Sequence, residues 1–168
     1  MIEDDTIKLL RECDSGIKMG VSSLEQVMDY ASSERLKNIL TKSKIEHEKI
    51  KEEIQEMLDR FQDEGKDPNP FVTGMSKLKT GIELKMNDSD YKIADIMTDG
   101  TNMGIKSLSK YLNQYKAASE ESKYITRKII KLEEKLSRDL REFLKNYLLS
   151  RKNRKHNILL YIDAIINI

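Results

Sequence analysis

Apolar positions recur along the chain at alternating steps of three and four residues, which is the period of one face of an α-helix. Two such series predict helix A over about residues 4–30 and helix C over about residues 89–116. Each is followed by a second series, which predicts helices B and D. The series in A and C are Leu10, Cys13, Ile17, Gly20, Leu24, Val27 and Ala31, and Ala94, Met97, Thr101, Gly104, Leu108, Tyr111 and Tyr115. Those in B and D are Leu36, Leu40, Ser43, His47, Ile50, Ile54, Met57 and Phe61, and Thr126, Ile129, Glu133, Leu136, Leu140, Phe143 and Tyr147.

An internal repeat relates the two halves of the chain. Residues 16–24 read GIKMGVSSL and residues 100–108 read GTNMGIKSL, with five identities in nine positions. HEKIKEEIQEML (47–58) aligns without a gap to EEKLSRDLREFL (133–144). The alignment makes Gly20 equivalent to Gly104 and His47 equivalent to Glu133. We therefore expect two similar helical hairpins.

The connections predict how the helices are arranged. Ala31–Ser33 and Ala117–Glu120 are short, so each hairpin should have antiparallel helices. Between the hairpins, Pro68 and Pro70 end helix B, and Asn87, Asp88 and Ser89 are N-cap candidates for helix C. A short crossover helix is predicted from Phe71, Met75, Leu78, Ile82 and Met86. The expected fold is an all-α antiparallel four-helix bundle over residues 1–147, followed by an extension over 148–168.

This layout resembles the ferritin-like superfamily, and within it the bacterial four-helix-bundle proteins of unknown function. The segments that carry the resemblance are CDSGIKMG (13–20), GMSKLKTGIELKMNDSD (74–90) and TDGTNMGIKSL (98–108). Ferritin-like di-iron proteins carry a Glu-x-x-His motif on helices B and D. Here Lys44 precedes His47 where that motif requires Glu, and the stretch from Ile130 to Glu133 lacks histidine. The resemblance therefore implies the fold without the di-iron site.

Composition and charge narrow the function classes. Charged residues make up 35% of the chain, and 30 Lys and Arg nearly balance 29 Asp and Glu. A net charge of +1 provides no overall field that would attract nucleic acid. Cys13 is the one cysteine, so the chain cannot form an internal disulfide. The N-terminal residues lack the apolar run that is typical of a signal peptide. We therefore expect a cytoplasmic location.

Four glycines lie inside the predicted helices A and C, namely Gly16, Gly20, Gly100 and Gly104. Each costs up to about 1 kcal/mol relative to alanine in a helix interior. We expect a structural role for them, either in close approach of two helices or in making room for a bulky neighbour. The alternative is that they line a cavity for a small ligand.

His47 and Glu133 are polar residues at positions that Leu, Ile, Met and Phe otherwise occupy. Because burial of either one alone is costly, a mutual hydrogen bond is one interpretation. Exposure of both at the bundle surface is another. The third is a metal site using His47, Glu133 and Cys13, for which zinc is the natural first candidate. No residue is predicted to be catalytic, and no cofactor is expected.

The C-terminal extension differs from the rest of the chain. RKNRKHN (151–157) is basic and ILLYIDAIINI (158–168) is apolar. It is either an extra packed helix or oligomer contact, an interfacial membrane anchor, or a non-native end, since Lys, Asn, Ile and Tyr dominate random translation of AT-rich DNA.

Together these features predict a non-catalytic helical-bundle protein that acts by self-association or by binding a protein partner. Nucleic acid is not an expected partner, and the segment 151–168 is the region through which a membrane would be contacted. The alternative function is a metal- or small-ligand-binding ferritin-like protein with a degenerate single site.

Overall fold

The computed structural model describes residues 2–68 and 89–166 of the chain, with the side chains of residues 2–68 and 90–145. Within these ranges the protein consists of four α-helices and contains no strand, which confirms the predicted all-α class. The helices are α1 (Ile2–Met28), α2 (Glu34–Asp59), α3 (Ser89–Gln114) and α4 (Glu120–Ile166). The bounds of α1 and α3 agree with those predicted for helices A and C to within two residues.

The crossover between α2 and α3 and the C-terminal extension were the two remaining predictions about the fold. The crossover helix over residues 71–86 and the N-cap candidates Asn87 and Asp88 lie outside the described residues, and Ser89 is the first residue of α3. The fourth helix has 47 residues and continues without a break through residues 147 and 148. The predicted boundary between bundle and extension therefore falls inside one continuous helix.

One serine caps the N-terminus of α2, and another caps the N-terminus of α4. The Ser33 side chain accepts a hydrogen bond from the backbone N–H of Leu36 at 3.2 Å. The Ser119 side chain accepts one from the backbone N–H of Ser122, also at 3.2 Å. Serine is a favourable N-cap because its oxygen satisfies an N–H group that has no partner within the helix. These two caps fix the starts of α2 and α4.

Each short connection between two helices is bound by a residue near the start of a helix that it does not join. Asp90 at the start of α3 accepts hydrogen bonds from the backbone N–H groups of Ser32 and Ser33, at 2.6 and 3.0 Å. Thr6 at the start of α1 accepts one from the backbone N–H of Ser119, at 2.8 Å. The connection between α1 and α2 therefore lies beside the start of α3, and the connection between α3 and α4 lies beside the start of α1.

Buried apolar side chains form two clusters. The first includes Leu9, Leu10, Cys13, Ile17, Ile50, Ile54, Met57, Leu58, Leu108, Ile125, Ile129 and Leu132. The second includes Leu24, Val27, Ala31, Leu36, Leu40, Ile93, Ala94, Met97, Leu136 and Leu140. Small or polar residues separate the two clusters along every helix. They are Gly20 on α1, Ser43 and His47 on α2, Thr101 and Gly104 on α3, and Glu133 on α4.

Candidate functional site

Two of the polar residues between the apolar clusters, His47 and Glu133, meet at a contact between α2 and α4. His47 is fully buried and Glu133 is 9% exposed. His47 Nε2 lies 3.2 Å from Glu133 Oε1. The predicted contact between these two residues is therefore present, and the interpretation that placed both at the bundle surface is wrong.

The second ring nitrogen of His47 determines where the protons lie. Nδ1 is 2.7 Å from the carbonyl oxygen of Ser43 and 3.3 Å from its hydroxyl oxygen. A carbonyl oxygen only accepts hydrogen bonds, so Nδ1 must carry a proton and donate it. When both ring nitrogens carry a proton, Nε2 donates a hydrogen bond to the Glu133 carboxylate and the two side chains form an ion pair.

The environment of His47 changes its pKa in opposite directions. Burial lowers the pKa, because it disfavours the charged ring. The hydrogen bond to Glu133, the negative charge of Glu133 and the hydrogen bond to the Ser43 backbone together raise the pKa above its ordinary value of 6.5. His47 therefore keeps its second proton, and with it the ion pair, to a higher pH than an ordinary histidine does.

Two of the four helix glycines face this pair. A Cβ atom placed on Gly20 would lie 2.9 Å from His47 Cδ2 and 3.1 Å from Nε2. A Cβ atom on Gly104 would lie 3.9 Å from the Cγ, Cδ and Oε1 atoms of Glu133. Gly20 therefore makes room for the imidazole ring, whereas Gly104 leaves ordinary contact distance beside the carboxylate.

The other two glycines have no close neighbour among the described residues. A Cβ atom on Gly16 or on Gly100 would meet nothing within 4 Å among the described residues, and both glycines are exposed. The described residues thus show no close helix or bulky neighbour at these two positions, and the structural role expected for Gly16 and Gly100 stays a prediction. Gly16 lies next to Ile17, which faces the core, and is rotated away from it.

Cys13, the third residue of the predicted metal site, has a different partner. Its Sγ atom lies 3.1 Å from Thr126 Oγ1, which itself donates to the Ser122 carbonyl oxygen at 2.7 Å. The thiol therefore donates to Thr126. Burial raises the pKa of Cys13 to about 12, against a smaller opposing effect of this hydrogen bond. A protonated, buried thiol is a poor metal ligand and a poor nucleophile.

The described parts of the chain contain no group of three or more His, Cys, Asp or Glu side chains placed to hold a metal ion. His47 and Glu133 supply two potential donors, and each already satisfies the other. The arrangement can hold two helices together, and it loses the second proton of His47 as pH rises. It provides neither an activated nucleophile nor an open coordination position.

Sequence reasoning missed one buried charged residue, Asp14 on α1. Its carboxylate accepts from the Lys18 ammonium at 2.8 Å and from the backbone N–H of Lys66 at 2.9 Å. Gly65 has a left-handed φ of 79° and lies so close to Asp14 that a side chain there would collide with the carboxylate. Asp14 Oδ1 has no hydrogen-bond partner among the described residues. The Asp14–Lys18 spacing of four residues was the one local signal of this arrangement.

Comparison of the chain with protein families, with curated proteins and with solved structures finds no significant match.

The two glycines beside the pair should respond in opposite ways to alanine. We expect Gly20→Ala to destabilise the protein by about 1–3 kcal/mol, because hydrogen bonds on both ring nitrogens prevent His47 from moving away. Gly104→Ala should stabilise it by up to about 1 kcal/mol, because the new methyl group fits and alanine favours the helix. Urea unfolding monitored by circular dichroism measures both effects. Gly100→Ala, at an exposed position of the same helix as Gly104, is the control and should also stabilise. Equal effects of Gly20→Ala and Gly104→Ala would contradict the geometry of the pair.

Stability should depend on pH through His47. A folded-state pKa above the unfolded value gives a contribution that is complete below about pH 6.5 and is lost as pH rises through the folded pKa. We therefore expect the stability difference between the wild type and His47→Gln to decrease as pH is raised from slightly acid to alkaline. Urea unfolding across this pH series tests it, with His156→Gln as the control for the second histidine. A difference that grows with pH would mean that His47 is buried as a neutral ring.

Proposed function

We propose that this protein is a non-catalytic helical bundle that acts by self-association through the C-terminal part of α4. The observation that carries the proposal is the length of α4. It has 47 residues, whereas α2 and α3 have 26 each. At a rise of about 1.5 Å per residue, the excess of about 20 residues extends roughly 30 Å.

The last described core contacts of α4 lie beside the starts of α2 and α3. Leu140 belongs to the second apolar cluster, which also contains Leu36 near the start of α2 and Ile93 near the start of α3. Phe143 and Leu144 are partly buried against that cluster. The part of α4 that follows lies beyond these last described core contacts. Because an isolated helix is marginal in water, we expect this part of α4 to pack against a partner.

The sequence of the C-terminal part of α4 supports a buried contact. Eight of the nine residues from 158 to 166 are apolar or aromatic, the exception being Asp163. An apolar stretch of this kind is typical of a segment that contacts a protein or a membrane. No helix within the described ranges is long and apolar enough to cross a membrane. We favour a second copy of this chain as the partner, and another protein or a membrane surface remains the alternative occupant.

The candidate site supports a role without catalysis. His47 and Glu133 hydrogen-bond to each other, and Cys13 carries a protonated, buried thiol. These features favour self-association over the alternative of a metal- or small-ligand-binding protein with a degenerate site. The cytoplasmic location expected from the sequence is part of the proposal, and a reducing compartment agrees with a single buried cysteine.

We also propose that the two hairpins are an internal repeat arranged as an antiparallel bundle. Thr6 and Asp90 are separated by the same offset as Gly20 and Gly104, and each accepts a hydrogen bond from the other hairpin's connection. The caps Ser33 and Ser119 are separated by the same offset as His47 and Glu133. Contacts that recur at constant offsets support a pseudo-twofold relationship. This layout is the basis for proposing a ferritin-like bundle without di-iron ligands.

Self-association is tested on the full-length chain by size-exclusion chromatography with light scattering. We expect the wild type to have twice the chain mass of 19.6 kDa, because the apolar segments of two copies bury each other. Ile158→Asp with Ile162→Asp should reduce the mass to 19.6 kDa. Asn153→Asp with Asn157→Asp introduces the same charge at polar positions of the same segment and should leave the dimer intact.

A wild-type protein that elutes as a monomer at all concentrations would contradict self-association. A dimer that survives the two isoleucine substitutions would place the interface elsewhere on the bundle.

A further inference from the structure

A cationic groove lies between the end of α3 and the start of α4. Its volume is about 450 Å³. The lining contains three cationic side chains, two neutral polar ones and one apolar one, and no carboxylate. They are Lys116, Lys123, Arg127, Ser109, Asn113 and Leu112.

The positive charges in this groove have little compensation. The Lys123 side chain is only 16% exposed, and its ammonium group lies 2.9 Å from a carboxylate oxygen of Glu120. Glu120 is 80% exposed, so water screens most of this attraction. Neither Lys116 nor Arg127 has an ion-pair partner within the described ranges. Among the described residues, the three cationic side chains of the groove therefore have one carboxylate partner, Glu120, which is exposed to water.

The corresponding surface of the first hairpin has a different charge. With the proposed repeat as the alignment, Glu25 and Asp29 occupy the positions of Ser109 and Asn113. Ser32 and Thr41, which carry no charge, occupy the positions of Lys116 and Arg127. Lys37, the equivalent of Lys123, forms the same contact with Glu34 but is 44% exposed. The cationic groove is therefore a property of the second hairpin and not a consequence of the repeated fold.

We propose that this groove binds a small free molecule that carries a phosphate monoester. The planar guanidinium of Arg127 and the ammonium groups of Lys116 and Lys123 suit the double negative charge of such a group. The Ser109 hydroxyl and the Asn113 amide are additional hydrogen-bond donors at the same surface. The volume lies within the range of roughly 300–1,000 Å³ that small-molecule sites occupy. Leu112 supplies an apolar surface for the remainder of the ligand.

The test uses the full-length protein and glycerol 3-phosphate, followed by NMR chemical shifts of the backbone amides at constant ionic strength. We expect saturable shifts confined to residues that border the groove. Lys116→Gln with Arg127→Gln should weaken binding by at least about tenfold, because two charge-assisted contacts are lost. Lys37→Gln with Lys42→Gln removes the same charge from α2 and should change the affinity by less than about twofold.

Ser109→Glu with Asn113→Asp reproduces the acidic side chains of the first hairpin and should abolish binding. Absence of saturable shifts in the wild type would overturn the proposal, as would equal weakening by the control variant. Vesicles of phosphatidylcholine with phosphatidic acid distinguish the source of the phosphate. Retention on these vesicles without a response to glycerol phosphate would overturn the assignment to a free ligand. None of these outcomes depends on whether the protein forms a dimer through α4.

Discussion

The hydrogen bond between His47 and Glu133 is the constraint on which the middle of the bundle depends. Both side chains are removed from water, and each would be strongly disfavoured there without the other. The Ser43 carbonyl group fixes the ring orientation of His47 from the same helix. The requirement for space beside the ring explains why a glycine lies on α1 opposite it. One polar contact thus determines the alignment of α2 with α4 and the residue type on α1.

The ends of the bundle are specified by polar contacts in the same manner. Asp90 near the start of α3 accepts backbone hydrogen bonds from the connection between α1 and α2. Thr6 near the start of α1 accepts one from the connection between α3 and α4. Apolar burial in the two clusters supplies most of the favourable free energy, but burial is not directional. Hydrogen bonds at both ends and in the middle select one alignment of the hairpins among those that would bury a similar area. In this account the polar residues provide specificity, and the leucine and isoleucine residues provide stability.

The sequence could predict the His47–Glu133 contact because both residues interrupt an otherwise apolar face at aligned positions. Periodicity states which positions face the core, so a polar residue there must have a partner. The sequence pattern could not distinguish Gly20 and Gly104, which face the pair, from the exposed Gly16 and Gly100. A glycine inside a helix does not by itself indicate which way it faces. The burial of Asp14 could not be predicted from the local sequence pattern. It depends on the loop at Gly65 and Lys66, which packs against α1. The cationic groove could not be predicted from the sequence either, because it depends on how α3 and α4 are placed relative to each other.

A double-mutant cycle on His47 and Glu133 tests the central claim most directly. The account predicts that His47→Leu alone destabilises the protein more than His47→Leu with Glu133→Leu, because the single substitution leaves a buried carboxylate without a partner. The exposed pair Lys135–Glu46 also joins α4 to α2, at 2.6 Å, and is the matched control. Its coupling energy should be below about 1 kcal/mol. Additive effects of the His47 and Glu133 substitutions would mean that the two residues do not interact and would contradict the account.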